Sequence, residues 1–208
     1  MRNNSFTAVS AAVVMLCGIR VVSHAQVTIK TSGGEVVQLT QKNLIDHMIV
    51  GDSIEVEAAK LAAARTQNSA VKDFANMLVT DHSSHLDNLR KLAGKSDIGR
   101  EANPADTSAA VAIRMLASMR TMPADSGFDR MFIREQIAHH QHEIDALKMM
   151  KPAAKDDDVQ HDIDRTMPVL ERHLAQAKQV AAQLGIPADS MRMNMPMSKP
   201  PMTKPPVR

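Results

Sequence analysis

The chain contains no tryptophan and no tyrosine, and only four of its 208 residues are phenylalanine. Its apolar residues make up 44% of the chain and include sixteen methionines. This apolar content is enough for the packed core of one ordinary domain. Because aromatic residues are scarce while Ala and Met are abundant, helices are favoured over a β-sandwich. The composition therefore predicts an all-α fold.

Several motifs that identify common protein classes are also missing. The chain has no Ser or Cys nucleophile motif, no Gly-rich phosphate loop and no HExxH motif, which disfavours the enzyme classes that depend on them. Its net charge is only +2, and no cluster of Lys and Arg forms a basic stripe. Binding to nucleic acid is therefore not expected.

The first 25 residues have the pattern of an export signal. Arg2 supplies a positive end, residues 6–19 form an apolar stretch, and the sequence SHA ends in a small-residue cleavage site at Ala25. A lipoprotein signal at Cys17 is disfavoured because the bulky Leu16 stands where such signals carry a small residue. Cleavage after Ala25 would remove the only cysteine, so the mature chain would fold without disulfides. We expect a periplasmic or secreted protein with no transmembrane segment in its mature chain.

Start and stop signals divide the remaining chain into four long helices. Thr40 is a predicted N-cap, Gly94 and Gly185 are predicted stops, and Pro168 should bend or divide the last helix. The predicted helices cover approximately residues 40–65, 69–93, 126–151 and 156–184. The domain order is thus a signal peptide (1–25), an N-terminal lead (26–39), a helical bundle (40–186) and a disordered Met/Pro-rich tail (187–208).

Residues 95–125 form the long connection between the second and third helices. They contain Pro and Gly and one shorter helical pattern, DTSAAVAIRMLASM. Short loops make neighbouring helices antiparallel, whereas a connection of this length can return along the bundle before the next helix begins. One long crossover between helices two and three is typical of a ferritin-like antiparallel four-helix bundle.

Polar residues interrupt the apolar seam near the middle of each long helix. When apolar positions are followed at spacings of three and four residues, histidines and acidic residues fall on or beside the seam. Because helix midpoints lie at similar heights in a bundle, these side chains are predicted to meet in one layer. They are Asp52 in the first helix, His82 and His85 in the second, His140 and Glu143 in the third, and His173 in the fourth.

Two interpretations of this layer stay open. Buried charge is costly unless it is paired, hydrogen-bonded or bound to a metal. Imidazole with carboxylate suits a transition metal such as Cu, Zn or Fe. The same residues could instead form a metal-free, hydrogen-bonded layer that fixes the helix register. Among the other histidines, His139 and His142 are expected at the flank or in solvent, and His47 and His161 are expected to be ordinary helix residues.

The C-terminal tail carries a separate signal. In MRMNMPM the methionines Met191, Met193, Met195 and Met197 alternate with other residues. Thioethers in an extended or polyproline segment can gather around a soft ion such as Cu(I). The alternative is a tail whose methionines hold no ligand or act as sinks for oxidation.

Three segments of the chain resemble an exported bacterial family, domain of unknown function 4142. They contain VKDFANMLVTDH, FDRMF followed by HHQ, and MPVLERHL. The resemblance covers approximately residues 40–185 and implies a ferritin-like four-helix bundle without an established activity. The matched histidines are His82, His140 and His173.

The FDRMF…HHQ segment is also similar to domain of unknown function 305, a helical exported family associated with copper handling. That family carries a Met or Pro near the histidine pair, where this chain has Ile137 and Ala138. The departure weakens the inference of copper.

Together these features predict an exported helical bundle that binds a transition metal for storage, buffering or stress protection. The alternative is a metal-free structural or interaction protein of the cell envelope. A redox enzyme is less favoured, because a di-iron enzyme would carry Glu-x-x-His on two helices. The third helix instead has the reverse order, His140 then Glu143.

Overall fold

The computed structural model describes residues 28–30, 36–95, 97–103 and 106–187. The predicted signal peptide and residues 188–208 of the predicted tail lie outside these ranges. Five α-helices carry most of the regular structure, so the all-α prediction is confirmed. They are α1 (Gln41–Arg65), α2 (Ser69–Ala93), α3 (Ser108–Thr121), α4 (Ser126–Met150) and α5 (Asp157–Gln183), with a 3₁₀ turn at Lys151–Ala153.

A short antiparallel ribbon precedes the helices. Its strands are β1 (Thr28–Lys30) and β2 (Val36–Gln38), with Ile29 opposite Val37. It falls in the predicted N-terminal lead (26–39), where no strand is predicted. Strands of three residues give too little alternation to be recognised from sequence.

The helix ends follow the capping rules used to predict them. Thr40 accepts a hydrogen bond from the backbone N–H of Asn43 (3.2 Å), and the Asn43 side chain accepts one from the backbone N–H of Thr40 (3.0 Å). At the end of α5, Gly185 has a φ of 65°. The Ile186 N–H then donates to the carbonyl of Ala181 at 2.9 Å, which closes the helix with a Schellman turn.

Pro168 lies inside α5 without dividing it, since the helix is continuous over Asp157–Gln183. Proline removes one backbone hydrogen bond, the one that would reach the carbonyl of Asp164. Pro168 and Asp164 are both exposed. Water can therefore replace the missing donor, which explains why the helix tolerates the proline.

The four long helices contact one another in pairs. α1 packs on α2, α4 packs on α5, α2 contacts α5, and α1 contacts α4, while α3 lies against α1. Helices α2 and α5 are antiparallel, because Asp81 contacts His173 whereas the later His85 contacts the earlier Asp162. With short loops inside each hairpin, α2 and α4 must run in the same direction. The connection at 94–125 therefore returns the chain to the end where α2 began.

The core between these helices is apolar at its two ends and polar in the middle. Phe128 and Phe132 are fully buried, and the rings of Phe132 and Phe74 lie 6.3 Å apart. The buried polar residues are Asp52, Glu55, Thr66, His82, Asp129, Gln136, His140, Glu143, Asp162, Thr166 and His173. Nine of these eleven, all except Thr66 and Asp129, belong to the middle layer that holds the candidate site. Within the described ranges, no helix combines the length and apolar character that a membrane span requires.

Candidate metal centre

Three histidine rings from three helices meet in the middle layer. His82 lies on α2, His140 on α4 and His173 on α5, and their exposed fractions are 4%, 0% and 0%. The ring centroids are separated by 5.6 Å (His82 to His140), 5.2 Å (His82 to His173) and 5.2 Å (His140 to His173). One ligand atom from each residue lies within 4.8 Å of the other two. The three rings thus surround one small volume inside the protein.

Carboxylates fix the outward side of two of these rings. His82 Nδ1 lies 2.8 Å from Asp52 Oδ1, and His173 Nε2 lies 2.9 Å from Asp81 Oδ2. Since a carboxylate accepts, each of these nitrogens carries the proton and donates. The other nitrogen of a neutral imidazole then has a free lone pair. In His173 that lone pair is on Nδ1, which lies 3.2 Å from His140 Nε2, and in His82 it is on Nε2, which is buried inside the protein.

The backbone fixes the third ring in the same sense. His140 Nδ1 donates to the carbonyl oxygen of Gln136, one turn earlier on α4, at 2.9 Å. A carbonyl can only accept, so the His140 proton is on Nδ1 and the lone pair is on Nε2. All three rings therefore direct their acceptor nitrogens inward. An oxygen acceptor behind each imidazole is the usual arrangement around histidines that bind a metal.

The inward nitrogens lack suitable partners among the described residues. His140 Nε2 lies 3.2 Å from His173 Nδ1, but when both rings are neutral neither atom has a proton to donate. His82 Nε2 is buried without a hydrogen-bond partner within the described ranges. Lone pairs at these distances repel, and a buried acceptor without a donor costs free energy. A cation between the rings, either a proton or a metal ion, would remove this repulsion.

The surroundings make a proton a poor occupant at two of the three rings. Burial holds the pKa of His140 well below its ordinary value, and nearby His139, His82 and His173 lower it further. Burial also lowers the pKa of His173, against the opposing effect of Asp81. Burial lowers the pKa of His82 too, but the Asp52 carboxylate outweighs this and raises it overall. Only His82 is favoured as a proton carrier.

His85 lies next to this centre but faces away from it. Its Nδ1 lies 2.7 Å from Asp52 Oδ2, and its Nε2 lies 2.9 Å from both Asp162 Oδ2 and Thr166 Oγ1. Although burial opposes it, these two carboxylates raise the pKa of His85 to about 9. His85 is therefore a charged link between α1 and α5 through Asp52 and Asp162. The structure does not bring this predicted ligand to the three-ring centre.

Glu143 is likewise engaged elsewhere. Its Oε2 lies 3.1 Å from His47 Nε2, and His47 Nδ1 lies 2.6 Å from Asp106 Oδ2. Burial lowers the pKa of His47, but the two carboxylates outweigh it and raise the pKa to about 10. The prediction that His47 is an ordinary helix residue is wrong, because it joins α1, α4 and the long connection. His142 is exposed, as expected, and His161 is an exposed residue of α5.

The His47 ion pairs should make stability depend on pH. The folded-state pKa of about 10 lies above the ordinary value of 6.5, so the stabilisation is complete below pH 6.5 and is lost as pH rises to about 10. We expect the difference in unfolding free energy between wild type and His47→Gln to shrink across this range. One proton changes this free energy by at most about 1.4 kcal/mol per pH unit.

Urea denaturation at intervals between pH 6 and 10 would measure this dependence. The exposed His161, changed to Gln, serves as the matched control and should leave the pH profile of wild type unchanged. A wild-type advantage over His47→Gln that stays constant across the range would contradict the assignment of a charged His47.

Of the six predicted ligands, the structure thus brings His82, His140 and His173 together, and it places Asp52 directly behind His82. Sequence reasoning missed the role of Asp81, which supports His173. Asp81 directly precedes His82 in the sequence. This position placed Asp81 near the predicted layer, although its contact with His173 was not predicted. Asp162 and Asp106 gave no comparable signal, since neither is adjacent in sequence to a predicted ligand.

The chain matches a family model described as domain of unknown function (DUF4142) over residues 27–180. The chain belongs to this family. The DUF4142 match spans all of α1 to α4 and most of α5, and so includes the three histidines and the acceptors behind them. No curated protein matches the chain. No solved structure matches it either.

Proposed function

We propose that this protein binds one transition metal ion between His82, His140 and His173. The observation that carries the proposal is the convergence of three acceptor nitrogens inside the protein, each on a ring whose other nitrogen donates to a fixed oxygen. Such a site is pre-organised, because no ring has to turn to present its lone pair. A metal ion would also satisfy His82 Nε2, which has no hydrogen-bond partner among the described residues.

The ligand chemistry favours Zn²⁺ or a copper ion over iron. Imidazole nitrogen suits Zn, Cu, Fe and Ni, whereas non-haem iron sites usually add carboxylate ligands. Here the nearby carboxylates, Asp52 and Asp81, bind the outward nitrogens of His82 and His173. The 3.2 Å between His140 Nε2 and His173 Nδ1 also fits two ligands of a tetrahedral ion, about 3.3 Å apart for Zn–N bonds of about 2.0–2.1 Å.

We further propose a ferritin-like four-helix bundle that works in the periplasm or as a secreted protein. The paired contacts of the long helices and the parallel direction of α2 and α4 support the bundle, and the N-terminal sequence supports export. Among the described residues, the three histidines are buried and no nucleophile or substrate-sized cavity adjoins their rings. Such a site suits storage, buffering or stress protection better than catalysis.

One observation favours a second candidate, a structural or interaction protein of the cell envelope without metal. A single proton between His140 Nε2 and His173 Nδ1 would turn their 3.2 Å contact into an ordinary hydrogen bond. The middle layer would then act only to fix the helix register, as buried polar networks do in some bundles.

Metal content of the purified protein distinguishes the two candidates. The protein would be produced without an affinity tag, processed by its host, and analysed for Zn, Cu and Fe by elemental analysis and native mass spectrometry. We expect one ion per chain, and the same stoichiometry after deletion of residues 188–208. Uptake that disappears with the tail would assign the ion to its methionines. A chain that takes up no ion would favour the metal-free layer.

A further inference from the structure

A cavity lies beside the three-histidine centre, between α1, α3 and α4, and is called the groove below. Its volume is about 440 Å³, within the range of small-molecule sites. Its walls are largely apolar and are formed by residues such as Val50, Ile54, Val111, Met115, Ala138 and Met149. The side chains of the packed core leave this space open, although apolar side chains surround it.

The mouth of this groove is also apolar. Val111 on α3 is 55% exposed, and Met149 on α4 is 51% exposed. These are two of the three large apolar side chains that remain exposed within the described ranges, and both line the groove. Grouped apolar exposure beside a cavity is typical of a binding site rather than of ordinary surface.

Acidic side chains supply most of the charge in the groove. Asp106, Glu135 and Glu143 line it, and the His47 imidazolium is already shared between Asp106 and Glu143. Glu135 has no hydrogen bond or ion pair with any residue that the structure describes. Burial raises the pKa of Glu135, with His139 acting in the opposite direction. The imidazoles of His139 and His142 also line the groove, but neither forms an ion pair with Glu135. The groove thus holds a partly desolvated carboxylate that no described residue pairs.

We propose that this groove binds a small amphipathic molecule with a cationic amine head and an apolar body. The amine would pair with Glu135, and the apolar body would lie along the walls between α3 and α4. An anionic amphiphile, such as a fatty acid, would face the carboxylates of Glu135 and Glu143. The amine fits because its charge is complementary, and a charge-assisted hydrogen bond is strengthened where water is excluded. This inference does not depend on the metal centre.

Three probes of equal chain length test the charge preference: octylamine, octanol and octanoate. Binding to the full chain would be measured by isothermal titration calorimetry. We expect octylamine to bind about tenfold more tightly than octanol, and octanoate to bind most weakly. In Glu135→Gln the advantage of the amine over the alcohol should disappear while octanol binding is unchanged. The exposed Glu171, changed to Gln, is the matched control and should preserve the advantage.

A second pair of variants tests the location. Ala112→Phe places a ring on the wall of the groove, whereas Ala110→Phe places the same ring on the exposed face of α3. We expect Ala112→Phe to weaken all three probes and Ala110→Phe to weaken none, with both variants folded by circular dichroism. Octylamine that binds no more tightly than octanol, or that binds Ala112→Phe as well as wild type, would overturn the proposal.

Discussion

Changing His140 to Ala should abolish binding of the proposed metal ion. His140 is fully buried beside the other two rings, and the other predicted ligands nearby, His85 and Glu143, are held by other partners. Loss of a supporting residue outside the coordination sphere usually weakens metal binding about 10–100-fold. Loss of a ligand should cost more than this, and we expect no stoichiometric ion in His140→Ala.

Titration with Zn²⁺, followed by native mass spectrometry and thermal unfolding, would measure the effect. An ion that binds only the folded state raises the unfolding temperature, so wild type should be stabilised by Zn²⁺ and His140→Ala should not. The exposed His161, changed to Ala, is the control and should respond as wild type does. Asp81→Asn should bind Zn²⁺ about 10–100-fold more weakly than wild type, and so be stabilised less than wild type but more than His140→Ala. A His140→Ala protein that still binds one ion would refute the three-histidine centre.

Asp52→Ala should cause a large loss of stability even without metal. Asp52 is 7% exposed, and its two oxygens contact His82 Nδ1 at 2.8 Å and His85 Nδ1 at 2.7 Å. Its removal leaves a buried donor without an acceptor and leaves the charged His85 with only one carboxylate. Breaking a buried ion pair from one side typically costs about 3–5 kcal/mol. We expect an unfolding free energy lower by about this amount.

Urea denaturation at pH 7 in the presence of a chelator would isolate this effect from metal binding. Asp73 is exposed on α2, so Asp73→Ala should change stability by less than about 0.5 kcal/mol. A loss below about 1 kcal/mol in Asp52→Ala would mean that water or another donor replaces the carboxylate easily. The proposed bridging role of Asp52 would then be wrong.

The helices were predictable because their signals are local. Thr40 begins α1 and Gly185 ends α5, as their capping chemistry predicts, and each signal involves only a few neighbouring residues. The positions of His82, His140 and His173 on the buried faces were predictable for a similar reason, since an apolar seam repeats every three or four residues.

The partners of the polar residues could not be predicted in the same way. After His82 the seam can continue through His85 or Leu86, and periodicity alone does not choose between spacings of three and four. In the structure Leu86 is buried in the core, while His85 turns towards Asp162 on α5. The pairing of His47 with Asp106 depends on where the long connection crosses α1. No local pattern specifies that crossing.

The three histidines come from two different helical hairpins, and this affects how the hairpins are held together. The α1–α2 hairpin supplies His82, whereas the α4–α5 hairpin supplies His140 and His173, so neither half of the chain contains the whole ligand set. An ion bound to all three histidines would cross-link the two hairpins. Any event that separates them would leave the ion with only His140 and His173 and would therefore favour its release.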